Sequence, residues 1–188
     1  SKGGENIVDA IVKINNTTLI YDEYLGYAGY IDASTAGAEM ELVVTHKETV
    51  IASGKACVPS SPTITNIDSG DVHQKNTALE VQWSSVDYAT AIEVSATNST
   101  GDDDYSSGFL DPTTTTHTIP ATFFDLSSSW DDQAECTITV NALNGVSMGN
   151  ENAIGFDSLE VGINMEGASG LFISVNGYET TVYVPLDN

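Results

Sequence analysis

The sequence contains no arginine, and its five basic residues are all lysines. Against them stand 27 acidic residues, which give the 188-residue chain a formal net charge of -22 at pH 7. Without guanidinium groups the protein lacks the usual bidentate ligand for phosphates and carboxylates. A field of this sign also repels nucleic acid and anionic lipid headgroups, so we expect neither as a partner. Cations, basic proteins and neutral sugars remain candidates, and the charge also suits a surface that serves solubility alone.

Long apolar runs are also missing. The longest extend over only a few residues, as at Leu42-Val43-Val44, whereas a membrane-spanning helix needs ~20. We therefore expect no direct membrane span. Residues 1–6 are expected to form a flexible leader. Such a leader is typical of a chain that follows a removed signal peptide or a lipid-anchored cysteine upstream of residue 1, and equally of an arbitrary chain boundary.

Two cysteines, Cys57 and Cys136, lie far apart, and no C-x-x-C spacing occurs. This excludes a zinc ribbon and a thioredoxin-like redox site. A disulfide between the two could form in an exported protein. The alternative is a buried free thiol at Cys136, which lies on the inward side of a predicted strand.

Alternation of apolar and polar residues with period 2 recurs along the chain, and helical periodicity is almost absent. The first part of the chain therefore contains five predicted strands: 7–14, 17–21, 25–31, 38–46 and 49–58. Lys47-Glu48 forms the turn between the last two. Pro59-Ser60-Ser61-Pro62 favours an extended connector, which places a domain boundary between residues 58 and 59.

The second part of the chain contains the clearest strands. Leu79, Val81 and Trp83 alternate with polar residues, as in a half-buried strand. The longest alternation places five side chains on one face, namely Ala134, Cys136, Ile138, Val140 and Ala142. Asn176-Gly177 lies between two β-prone runs and predicts a C-terminal β-hairpin, because both residues tolerate positive φ.

Three of these segments resemble parts of a fibronectin type III module. Residues 79–83, with Trp83, resemble its second strand, whose tryptophan packs between the sheets. Leu126 resembles the leucine that precedes the sixth strand, and 136–145 is similar to that strand and its exit turn. Cys136 stands where the family usually has a tyrosine. The resemblance implies that 59–188 is a fibronectin type III-like domain, which would end in the predicted hairpin.

The wider layout resembles surface lipoproteins of outer-membrane bacteria. In these proteins a small β-domain ends in a step like Val58-Pro59, a fibronectin-like module follows, and a glycine-rich segment like 164–172 comes late. The segment 26–30 resembles part of their leading transthyretin-like or immunoglobulin-like domain, which implies a small β-sandwich over 7–58. The expected fold is all-β, with tandem immunoglobulin-like β-sandwich modules. The expected location is extracytoplasmic, at a bacterial cell surface or secreted.

Motifs for catalysis are missing from the sequence. There is no G-x-S-x-G elbow, no P-loop and no G-x-G-x-x-G after a strand. The three histidines, His46, His73 and His117, lack metal-ligand spacing and are expected to be solvated surface residues. We therefore expect no enzyme activity. A hydrolase that uses aspartate and glutamate is an alternative, and it would need two carboxylates across a cleft.

Aromatic residues provide the candidate ligand contacts. Tyr21, Tyr24, Tyr27 and Tyr30 recur at three-residue intervals and could form a binding surface or pack into a core. Trp130 follows three serines and precedes two aspartates in a polar loop. Because an exposed loop tryptophan is costly without a partner, it is a candidate contact, although it could instead fold back over a sheet edge.

A run of aspartates, Asp102, Asp103 and Asp104, is the candidate metal site. Calcium takes six to eight oxygen ligands, which such a loop can supply in part, and Asp131-Asp132 could join from a neighbouring loop. The alternative is a solvated polar loop. No other cofactor is expected.

These observations together predict a non-catalytic binding or spacer module that contacts a glycan or a protein at the cell surface. A structural subunit of a surface fibre or layer is the alternative, in which the last hairpin or an exposed edge strand would pair with a neighbour.

Overall fold

A computed structural model describes residues 9–23, 26–31, 35–101, 104–127, 132–145, 165–167 and 172–186. Over these ranges the protein is all-β and contains no α-helix, as the alternating sequence predicts. The strands are β1 (Ile11–Ile14), β2 (Thr17–Thr18), β3 (Ile20–Asp22), β4 (Gly26–Ala28), β5 (Glu39–His46), β6 (Thr49–Cys57), β7 (Asp71–Val72), β8 (Leu79–Gln82), β9 (Ala91–Asn98), β10 (Tyr105–Leu110), β11 (Thr116–Ile119), β12 (Gln133–Asn144), β13 (Met165–Glu166) and β14 (Ser174–Pro185). A short 3-10 helix, Ala121–Phe124, follows β11. Nowhere in the described part of the chain is there a helix with the length and apolarity needed to cross a membrane.

The N-terminal sheet has the strand order β13-β6-β5-β1-β2. Two-residue turns join β1 to β2 and β5 to β6, and all four turn residues have positive φ. This is the backbone of a type I′ turn, whose twist matches that of the flanking strands. Lys47 and Glu48, at φ 48 and 64, form the second of these turns, so the predicted turn position is confirmed.

The strand β13 was not predicted in this sheet. Met165 and Glu166 pair with Gly54 and Ser53 at the edge of β6, although they lie far along the chain. The next residue, Gly167, has φ +80, and a Cβ there would lie 2.5 Å from the carbonyl oxygen of Ile51. Only glycine fits such an approach of two backbones. The N-terminal sheet therefore includes residues from beyond the predicted boundary at 58/59.

The C-terminal sandwich consists of a five-stranded sheet, β10-β9-β12-β14-β7, and a two-stranded sheet, β11-β8. Ile64 extends the smaller sheet through a bridge to Trp83. Both sheets contribute to one buried core, as expected for a β-sandwich. Val81 and Trp83 of the smaller sheet are buried, as the sequence predicts.

The strand β12 carries the centre of this core. Its five predicted inward residues are all 0% exposed, and their polar neighbours point away. Cys136 is among the buried residues, and both cysteines are free thiols. Burial, together with the charge of Glu135, raises the pKa of the Cys136 thiol to about 11.

The predicted turn at Asn176-Gly177 is wrong. Both residues lie inside β14, which pairs with β12 along its whole length. A Cβ on Gly177 would lie 2.5 Å from the Asn141 side-chain oxygen on the neighbouring strand. The glycine thus makes room for a cross-strand side chain, and a continuous ladder of β-pairs outweighs the local turn preference.

Replacing Lys47-Glu48 by Asn-Gly should stabilise the protein by about 1 kcal/mol. Lysine and glutamate are sterically strained in the left-handed backbone region, and asparagine and glycine are much less so. The exchange leaves the net charge unchanged. Thermal unfolding should show a higher midpoint. Asn16→Gly, in a turn that already suits its residues, is the matched control and should change the midpoint less. An unchanged or lower midpoint for the Asn-Gly variant would contradict the turn assignment.

Cys136 should resist a thiol reagent in the folded protein at pH 8, because its thiolate is scarce and its side chain is buried. Cys57 is half-buried and should react first. Peptide mass spectrometry after timed iodoacetamide treatment measures both rates. Equal labelling of the two in denaturant is the control, and equal labelling in the native state would contradict the core position of Cys136.

Candidate functional site

A cleft of about 560 Å³ opens at one end of the C-terminal sandwich. One wall comes from the β9–β10 connection and the start of β10, with Asp104 and Tyr105. The other wall comes from the 3-10 helix and the residues after it, with Phe123, Asp125 and Leu126. Because β9 and β12 are antiparallel, the end of β9 and the start of β12 meet at this end of the sandwich.

The 3-10 helix positions the second wall. Pro120, in an extended conformation, precedes the helix, and Phe123 and Phe124 are buried with their rings in an edge-to-face contact at 5.0 Å. Leu126 is also buried. With apolar residues fixed inward on both sides of it, Asp125 is directed to solvent at the rim of the cleft. The cleft therefore combines an apolar floor with two exposed carboxylates, Asp104 and Asp125.

Tyr105 links the cleft to the edge strand β11. Its hydroxyl oxygen lies 2.6 Å from His117 Nε2, and its ring centroid lies 6.2 Å from that of Phe123. Burial raises the pKa of Tyr105 and lowers the pKa of His117. Both rings are therefore neutral at pH 7 and share a single hydrogen bond.

The prediction that the histidines are solvated surface residues is confirmed only in part. All three are half-buried and have partners. His46 lies 3.2 Å from the Asp9 carboxylate, and His73 hydrogen-bonds the Thr77 carbonyl at 2.9 Å. The His73 ring also packs edge-to-face on Phe124 at 4.4 Å. The three histidines lie at turns and strand edges, where a ring can contact a neighbouring segment while part of it stays exposed to solvent.

The predicted tyrosine cluster is only partly brought together. Tyr21 and Tyr27 are directly opposite each other in the hairpin β3-β4, with their rings in edge contact at 5.2 Å. The Tyr27 hydroxyl donates to the Ala10 carbonyl at 2.8 Å. Tyr30 is fully exposed, at 102% of its reference area, and Tyr24 lies outside the described residues. Tyr21 and Tyr27 thus contact each other, and Tyr27 also holds the hairpin to the backbone of Ala10.

The candidate calcium and tryptophan residues have different outcomes. Asp104 lines the cleft, whereas Asp102, Asp103 and Trp130 lie outside the described residues, as does Asp131. Among the residues that the structure describes, no three His, Cys, Asp or Glu side chains come close enough to hold a metal ion. Calcium at this loop stays a prediction.

Sequence reasoning missed Asp125 and Phe123 as parts of the cleft. A signal was present: Pro120 begins a short segment in which two phenylalanines stand between polar residues, which indicates a turn anchored in a core. That Asp125 would line the same cleft as Asp104 depends on how the sandwich folds, and no local pattern carries this information.

No protein-family model matches the sequence, and a search of curated proteins finds no significant match.

Protonation of His117 should destabilise the fold. Since burial lowers the pKa of His117, its contribution to stability is complete above the ordinary histidine pKa of 6.5 and is lost as the pH falls through the lower folded value. His117→Gln, which keeps a neutral hydrogen-bonding side chain, should reduce the fall in thermal midpoint between pH 7.5 and 5.0. His46→Gln is the control. An equal pH dependence in His117→Gln and wild type would remove the proposed burial effect.

Proposed function

We propose that this protein is a non-catalytic, extracytoplasmic binding module that holds a neutral glycan in the cleft of its C-terminal sandwich. The observation that carries the proposal is the cleft itself, with two exposed carboxylates, Asp104 and Asp125, above an apolar floor. Carboxylates accept hydrogen bonds from sugar hydroxyls, and the partly exposed ring of Tyr105, which lines the cleft beside the buried Phe123, suits the C–H face of a sugar ring.

The strand arrangement supports a fibronectin type III-like identity for residues 59–188. On one side lie the segment of Ile64, β8 and β11, and on the other lie β10, β9, β12 and β14. Trp83 and Leu126, the residues that carry the sequence resemblance, are both in the core between these sheets. Such sandwiches are typical of cell-surface domains, which supports the extracytoplasmic location.

The net charge narrows the ligand class. The excess of acidic residues over lysines repels anionic ligands near the cleft, whereas neutral sugars are not repelled. A hydrolase would need one carboxyl group kept protonated by burial. Asp104 and Asp125 are both exposed, which favours binding over acid catalysis.

The edges of the five-stranded sheet favour a binding module over a fibre subunit. At one edge, a bulge interrupts β10 between Ser106 and Phe109. There, Ser107 Oγ accepts a hydrogen bond from the backbone N–H of Val94. At the other edge, β7 pairs with β14. The Asn176 side chain of β14 also donates a hydrogen bond to the Pro59 carbonyl, so the segment at Pro59 lies against the same strand. Bulges and covering segments protect edges from pairing with another chain.

The test is a screen of neutral glycans, followed by calorimetric titration of each binder with calcium and with chelator. Asp125→Asn should weaken binding about tenfold, because a hydrogen bond to a charged group contributes ~1.5 kcal/mol or more. Glu48→Gln, which removes one charge on the distant hairpin turn, is the matched control and should bind normally. Loss of binding in chelator would assign calcium to the loop of Asp104.

Two outcomes would overturn the proposal. One is the absence of any neutral glycan that binds, with cationic peptides binding instead. The other is glycan binding that Asp125→Asn leaves unchanged, since the ligand would then lie elsewhere on the protein.

A further inference from the structure

The segment between the N-terminal sheet and the C-terminal sandwich is held in place along its length. Pro59 and Pro62 are fully buried. Ser60 N donates to the Asp87 carbonyl at 3.0 Å, and its hydroxyl accepts the Asp87 amide at 2.9 Å. The Asn176 side chain donates to the Pro59 carbonyl at 3.1 Å. A flexible linker would be exposed and free of such bonds, so this segment cannot act as a hinge.

Asn144, the last residue of β12, connects three segments through one side chain. Its Oδ1 accepts a hydrogen bond from the backbone N–H of Cys57 at 2.8 Å, and Cys57 is the last residue of β6 in the N-terminal sheet. Its Nδ2 donates to the Tyr88 carbonyl at 2.6 Å, in the connection between β8 and β9. Asn144 pairs with Ser174 of β14, and the residue before it, Leu143, is paired on both sides. The two side-chain bonds of Asn144 therefore tie the end of β6 to the sandwich.

Tyr88 closes the contact from the sandwich side. Its φ is +63, a conformation that is costly for tyrosine and persists only where surrounding contacts determine it. Its ring packs against the backbone of Gly37, where a Cβ would lie 2.8 Å from Tyr88 Cζ. Gly37 also has positive φ, at +82, and its amide donates to the Val58 carbonyl at 2.8 Å. Glycine at this position therefore permits the close contact.

The strand β13 belongs to the N-terminal sheet, although it lies between β12 and β14 in the sequence. It pairs with β6, and Gly167 lies against the Ile51 carbonyl. The pairing adds two residues to the edge of the N-terminal sheet. Among the described residues, the buried apolar side chains of the N-terminal sheet are few: Val12, Met40, Ala52 and Ala56. A core of this size does not by itself stabilise an independent domain.

We propose that the N-terminal sheet and the C-terminal sandwich form one rigid body, locked by a joint of Gly37, Cys57, Tyr88 and Asn144, and that the protein is a spacer of fixed shape. The joint lies at the opposite end of β12 from the cleft. A strand of 12 residues spans roughly 40 Å, so the lock holds the cleft at a set distance from the N-terminal sheet. This inference does not depend on what the cleft binds.

The test is ¹⁵N relaxation of the full chain, which reports the rotational tumbling of each part. In the wild type, amides of β5 and β6 should fit the same diffusion tensor as amides of β12 and β14. In Asn144→Ala, the two groups should require separate tensors. Asn66→Ala is the matched control, because Asn66 makes the same two kinds of bond, to the Glu80 carbonyl and from the Gln82 amide, within the sandwich alone. It should leave a single tensor.

Gly37→Ala provides a second variant that leaves every residue of the sandwich unchanged. The added methyl group should displace the Tyr88 ring and loosen the joint, so it should also separate the two tensors. Separate tensors in the wild type would overturn the proposal. So would a single tensor in both Asn144→Ala and Gly37→Ala, since the joint would then not be what fixes the two parts.

Discussion

The double pairing of β12 is the constraint on which the rest of the structure depends. This strand has β9 on one side and β14 on the other, and five of its side chains are fully buried. Pairing on both sides satisfies its backbone, and burial of alternate residues fixes its register. A slip by one residue would bring Glu135 and Thr137 into the core, so the strand admits one placement.

Both functional features take their position from the two ends of this strand. At its beginning, Leu126 and the 3-10 helix pack into the core and direct Asp125 towards the cleft. At its end, Asn144 binds Cys57 and Tyr88 and sets where the N-terminal sheet lies. The strained backbone of Tyr88 is held there by the bond from Asn144 to its carbonyl and by the packing of its ring on Gly37. The cleft and the joint therefore lie at opposite ends of β12, with the large buried core between them.

The sequence predicts those parts of the fold that local patterns encode. The strands β5, β6, β8 and β12 follow from period-2 alternation, and the Lys47-Glu48 turn follows from the spacing of its flanking strands. Asn176-Gly177 was wrongly predicted as a turn because Asn141, the residue opposite Gly177, is distant in sequence. The local sequence does not show that the Asn141 side chain occupies the space beside the glycine. The pairing of β13 with β6 and the presence of Asp104 and Asp125 in one cleft were not predicted for the same reason. Each depends on the closed fold, and no nearby residue signals it.

Native-state hydrogen exchange at increasing denaturant tests most directly whether everything else depends on β12. We expect the amides of β12 to be the last to lose protection, and those of β6 to lose it earlier or in the same step. Protection of β6 that persists after β12 has opened would contradict the account, because the N-terminal sheet would then be stable without the strand that positions it.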